Sequence, residues 1–136
     1  MATIDIQYAH RNNERRISGT VGGELIPSEN GSLPIGDLAT VCSLPKNVVL
    51  TGIKVVGIGL GTATVPTVTI DSVAYTLAAS DIDDDVVELV VAAPVLLTDA
   101  KDVNFSADAI VSAGRVVVLV EFIEFDLTNG NRVEAV

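Results

Sequence analysis

The sequence predicts an all-β fold: a single antiparallel β-sandwich, jelly-roll-like, with an extended N-terminal arm. Three observations carry that prediction. Segments rich in Val, Ile and Thr recur at short spacing, and several alternate apolar with polar residues, the period of a half-buried strand. Gly, Pro, Asn and Asp punctuate them at turn positions. No stretch sustains the 3.6-residue period of an amphipathic helix. A chain of 136 residues is long enough for one core without disulfide or metal staples. Two parts are distinguished: residues 1–36, a strand and arm, and residues 37–136, the sandwich.

The first strand is Thr3–Tyr8, where Ile4, Ile6 and Tyr8 alternate with polar neighbours. A polar, locally basic stretch from His10 to Arg16 follows. Ser18 to Gly36 holds five Gly and two Pro, with Val21, Leu25, Ile26, Leu33 and Ile35 as its anchors. Residues 9–36 therefore read as an arm ordered by contact with something else; the alternative is a wrapping loop packed on its own sheet. Asp37–Leu44 is a strand stopped by the Leu44-Pro45 corner, since Pro45 fixes its own φ and drives Leu44 towards extended geometry. The organising segment, Val48–Ile58, comes next. Its branched side chains suit a pleated surface, and Gly52 and Gly57 mark bulges or bends.

Thr64–Ile70 alternates Val68 and Ile70 with Thr67 and Thr69, and Asp71-Ser72 is a tight turn into Val73–Leu77. Ala78–Asp85 is a loop or one helical turn capped by Ser80. Val86–Val91, Val95–Leu97 and Asp102–Ser106 are further strands. Arg115–Phe125 puts Val116, Val118, Val120 and Phe122 on one face; its eleven residues predict a place at the centre of a sheet. Asn129-Gly130 is a turn signal, and Asn131–Val136 a tail or last short strand.

Composition narrows the classes of function. Hydrophobic residues are 49% but aromatics only 4%, without Trp, so Val, Ile, Leu and Ala must fill the core. The mean hydropathy of +0.50 implies apolar surface buried against a partner, hence a homo-oligomer, dimer or trimer. The longest uncharged run, Val55–Ile70, contains Gly57, Gly59, Gly61 and Pro66 and is too short and broken to span a membrane. Nothing resembles a secretory signal, and the single Cys42 excludes an internal disulfide; both predict synthesis in a reducing cytoplasm. Net charge is −10, all of it from residues 71–136, which hold thirteen acids against three bases. That balance argues against nucleic acid, whose binding relies on a basic face.

No enzyme, cofactor or metal site emerges. Asp81, Asp83, Asp84, Asp85 and Glu88 form the one cluster of possible ligands. A calcium loop of the helix-loop-helix kind needs Gly at its sixth position and Glu at its twelfth; counted from Asp81, these are Val86 and Ala92. A solvated loop is the expectation. The single histidine, His10, sits in a polar segment, a poor place for a pre-organised base. Cys42, between Val41 and Leu44, reads as a buried small hydrophobe. Gly57–Gly61 lacks the Lys-Ser/Thr ending of a phosphate loop and reads as a flexible hairpin.

Residues 37–71, about a quarter of the chain, carry a resemblance. Leu44-Pro45, the Val/Ile-rich Val48–Ile58 with Gly52, the Gly/Thr-rich Gly59–Thr64 and the Thr/Val strand Val65–Asp71 together resemble small virion proteins of tailed bacteriophages. The family implied is the capsid decoration, or cement, protein. Membership implies a structural virion protein on the capsid exterior, whose partner is the major capsid protein and which stabilises the shell by bridging its subunits. Within that expectation the contacts are Arg11, Arg15 and Arg16, pairing with carboxylates, and Leu25, Ile26 and Pro27, filling a groove. The alternative is a carbohydrate- or receptor-binding sandwich of a phage fibre or cell-surface appendage, which the scarcity of aromatics disfavours.

Overall fold

The computed structural model describes residues 4–5, 18–125 and 134–135. Its strands are β1 (Ile4–Asp5), β2 (Ser18–Leu25), β3 (Ala39–Leu44), β4 (Val48–Ile58), β5 (Pro66–Ile70), β6 (Val73–Thr76), β7 (Asp85–Leu89), β8 (Val95–Leu97), β9 (Lys101–Ala107), β10 (Arg115–Glu124) and β11 (Glu134–Ala135). One helical turn, α1 (Pro27–Asn30), follows β2. The strands form two antiparallel sheets, ordered β2-β10-β4-β7 and β3-β9-β5-β6; β8 continues the first along β4 beyond β7. β1 pairs with β11 apart from both.

The pairings share one arithmetic. Paired residue numbers add to 143 in β5–β6 (Thr67 with Thr76), 142 in β4–β7 (Ile53 with Leu89) and 144 in β3–β9 (Ala39 with Phe105). They add to 141 in β2–β10 (Ser18 with Ile123) and 139 in β1–β11 (Ile4 with Ala135). The chain is thus one nested hairpin whose tip is the Asp71-Ser72 turn. Rolling that ribbon adds the β10–β4 and β9–β5 pairings and places alternate hairpins in opposite sheets, the jelly-roll arrangement. The tip is built for it: Asp71 and Ser72 have φ of 52° and 62°, the left-handed pair of a type I′ turn that matches strand twist.

Alternation fixes which side chains enter the core. Val116, Val118 and Val120 of β10 point inward and are fully buried, and β10 lies between β2 and β4 as its length predicted. They meet Val68 and Ile70 of β5 and Val103 and Phe105 of β9; Phe105 is the largest fully buried side chain. β4 carries a bulge at Thr51, where the partner of Glu121 is Gly52 and that of Phe122 is Leu50. This extra residue lets both Leu50 and Ile53 face the core, three positions apart. Gly52 therefore marks a bulge, whereas Gly57 does not: it leaves room for the Ile82 carbonyl, which a Cβ there would strike.

The Gly-rich segment from Ser18 differs from an arm. Ser18–Leu25 is a full strand along β10, and Leu33 exchanges two backbone hydrogen bonds with Val111, 2.9 and 3.0 Å long. The wrapping alternative describes residues 18–36; residues 9–17 lie outside the described residues, as does Asn129-Gly130. β2 hides from pattern reading because two of its inward positions are Gly19 and Gly23. Gly19 lies under the Phe122 ring, 2.8 Å from where its Cβ would be. Gly23 allows the edge of β2 to touch β3 at Val41, closing one side of the sandwich.

Candidate functional site

The acidic run is a structural clasp rather than a solvated loop. Asp83 Oδ1 accepts the backbone N–H groups of Leu60 (3.1 Å) and Gly61 (3.2 Å), and Asp84 Oδ1 that of Gly59 (2.8 Å). Asp81 Oδ1 accepts Thr64 N–H at 3.0 Å and Asp83 N–H at 2.9 Å. These bonds favour the charged form, so the Asp81 carboxyl is held below its ordinary pKa by the amides of Asp83 and Thr64. The four carboxylate bonds on Gly59–Thr64 pin the connection from β4 to β5, which pattern reading made a flexible hairpin. Among the described residues no group of three or more His, Cys, Asp or Glu is placed to hold a metal ion. No described helix is long and apolar enough to cross a membrane.

Cys42 is half-buried on β3 rather than fully enclosed, and burial pushes its thiol pKa up, away from the thiolate a nucleophile needs. His10, Arg11, Arg15 and Arg16 lie outside the described residues. Leu25 ends β2 and is buried in this chain's own core, and Pro27 is buried at the start of α1. Neither is free to fill a partner's groove while that core is closed; Ile26 between them is half-buried.

What remains distinctive is the surface of the two sheets. The outward side of β3-β9-β5-β6 is polar: Thr40 Oγ1 donates to Asn104 Oδ1 at 2.7 Å, Ser43 Oγ to Asp102 Oδ1 at 2.9 Å, and Thr67 and Thr69 stand beside Ser106 and Asn104. This is the outward polar set that a solvated antiparallel face shows. The outward side of β2-β10-β4-β7 is different. Register aligns Ile123, Val49 and Leu96 in one row and Val117, Val56 and Val86 in another, with Ile58 beside Arg115. Leu96 is 62% exposed and Val86 55%. Between the rows, Lys54 Nζ and Glu121 Oε1 pair at 3.0 Å, with Glu88 across from Lys54. That contact and its attraction raise the Lys54 pKa. Arg115 and Glu24 approach to 3.6 Å at the margin.

The pattern of β10 alternates its buried valines with a second face that mixes Arg115 and Glu121 with Val117, Leu119 and Ile123. It could not align that face with Val49, Val56, Val86 and Leu96, because their alignment depends on register and on the bulge at Thr51.

No family model and no curated protein matches the sequence. Solved structures do match in fold. The chain resembles one in the acidic stable capsid structure of Helicobacter pylori bacteriophage KHP30, with a TM-score of 0.56 at 14% identity, covering 100% of this chain and 98% of that one. It resembles one in the Cyanophage Pam1 capsid asymmetric unit, with a TM-score of 0.58 at 17% identity over 79% and 85%. A third likeness is to a chain in the capsid of Ralstonia phage GP4, with a TM-score of 0.50 at 13% identity over 79% and 84%. The shares covered make each of those chains about as long as this one.

Proposed function

We propose that the chain is a structural protein of the phage virion that binds the outside of the assembled capsid as a homo-oligomer and stabilises it by bridging major-capsid subunits. The observation that carries this reading is the likeness of the jelly roll to chains of similar length in three phage capsid structures. The surface is in keeping with it: a rigid sandwich with a clasped loop, an apolar outer face, and an acidic character suited to docking on basic ground. Stabilisation follows from mass action, since a protein that binds only the assembled shell shifts the balance towards it. Several weak contacts made at once raise the effective concentration of each. Arg11, Arg15 and Arg16 are the proposed cationic contacts, with Ile26 the one apolar contact of the original three that is not already buried.

Co-sedimentation with expanded phage heads lacking the protein tests this. The wild-type chain pellets with the heads; a chain without residues 1–16 stays folded but pellets weakly. Replacing the three arginines with Ala reduces binding more at low salt than at high, because screening removes what they contribute. Absence of wild-type binding overturns the function. Full binding by the truncated form assigns the contact to the sandwich instead of the arginines.

A further inference from the structure

We propose that the outer face of the β2-β10-β4-β7 sheet is the docking surface for a second copy of this chain, joined face to face about a two-fold axis. The molecule supplies its own control. Both sheets are antiparallel and both present an outer face, yet one carries Thr, Ser and Asn while the other carries rows of Val, Leu and Ile. An apolar outer face on one sheet of a sandwich whose other face is polar marks a surface that is covered in use.

Charge selects the occupant. Two copies of a chain of net charge −10 repel one another, so they can meet only where that charge is missing. On this face Lys54 and Arg115 stand against Glu24, Glu88 and Glu121, close to balance. Asp84 and Asp85 border the face beside Val86, while further described acids lie away from it, at Asp81 and Asp83 of the clasp and at Asp71, Asp99, Asp102 and Asp108. A strongly basic partner would instead be drawn to those carboxylates.

The pattern is also self-complementary. A two-fold axis lying across the strands, between Glu121 and Lys54, turns the Val49–Leu96–Ile123 row onto the Val56–Val86–Val117 row of the other copy. It also brings each Lys54 within reach of the other copy's Glu121. Such an isologous contact closes on itself and gives a dimer. Phe122, the aromatic inside β10, belongs to the inward set, and the partly exposed ring of Phe125 lies just past the end of that strand. This inference shares only the homo-oligomer with the proposed function; the dimer can stand while capsid binding fails, and the reverse.

Sedimentation equilibrium of the full chain is the test, with circular dichroism as the check on folding. The expected mass is twice 14.1 kDa. Val86→Lys combined with Leu96→Lys changes two exposed side chains and is expected to halve that mass. Thr67→Lys combined with Thr69→Lys on the opposite face leaves it unchanged. Lys54→Glu and Glu121→Lys each give monomers, and mixing the two in equal amounts restores a dimer, which a role confined to one chain would not produce. A monomeric or trimeric wild type, a dimer that survives the paired lysines on this face, or mixed charge variants that stay apart would each overturn the proposal. A monomer whose paired lysines abolish head binding would assign the face to the shell instead.

Discussion

Gly22 and Gly23 are neighbours on one strand with similar backbone geometry, yet alanine should affect them very differently. A Cβ on Gly23 would stand 2.5 Å from the Val41 carbonyl carbon and closer still to its oxygen, whereas real Cβ atoms essentially never come within 3.0 Å of such atoms. The backbone of β3 would have to yield by at least the 0.5 Å between those distances, where the two sheets close on each other. A Cβ on Gly22 meets the tip of Leu119, Cδ2 at 2.8 Å, a half-buried side chain that can turn away, and stands 3.2 Å from the Val118 carbonyl oxygen, a far milder approach than at Gly23. Overpacking that moves backbone costs about 1–3 kcal/mol, and replacing a strand glycine returns roughly 0.5–1 kcal/mol at both sites. Gly23→Ala should therefore be about 2 kcal/mol less stable than Gly22→Ala, or roughly 6–10 °C lower in Tm for a chain of this length. Thermal melts of the two variants by circular dichroism measure the difference. Melting temperatures within roughly 2 °C of each other would show that β2 and β3 do not touch at Val41.

Further outcomes follow from the core, the clasp and the thiol. Val118→Asp should abolish folding: Val118 is fully buried at the centre of β10, and an unpaired carboxylate there costs several kcal/mol of a total stability of about 5–15 kcal/mol. Far-UV circular dichroism with a native-like melt would contradict the placement of that strand. The Asp81 pKa is lowered in the folded state, so its contribution is fully present above the ordinary aspartate value of 3.8 and is lost as pH falls through the folded value. The Tm difference between wild type and Asp81→Asn should accordingly be largest near neutrality and shrink in acid. Cys42, with its raised pKa and half-buried side chain, should react with a thiol reagent near pH 8 more slowly in the native chain than in the denatured one.

Local sequence carried much of this architecture. The alternation in β5 and β10, the Leu44-Pro45 corner and the Asp71-Ser72 tip each depend on steric preferences of a few adjacent residues, so they can be read without knowing what lies opposite. The length of β10 alone indicated its central place, because only a strand flanked on both sides can satisfy that many backbone groups. Other features depend on what lies opposite. Gly19 and Gly23 are glycines because Phe122 and Val41 press on them, so β2 shows no apolar alternation and resembles a loop. Asp81, Asp83 and Asp84 look solvated until the roll of the ribbon brings Gly59–Thr64 beneath them, between 17 and 25 residues away in the chain. The apolar outer face is likewise assembled from four strands. Each supplies one to three aliphatic residues that are unremarkable alone, and register together with the one-residue bulge at Thr51 decides that they share a side. Short-range sterics set the strands; long-range register decided which surface they show.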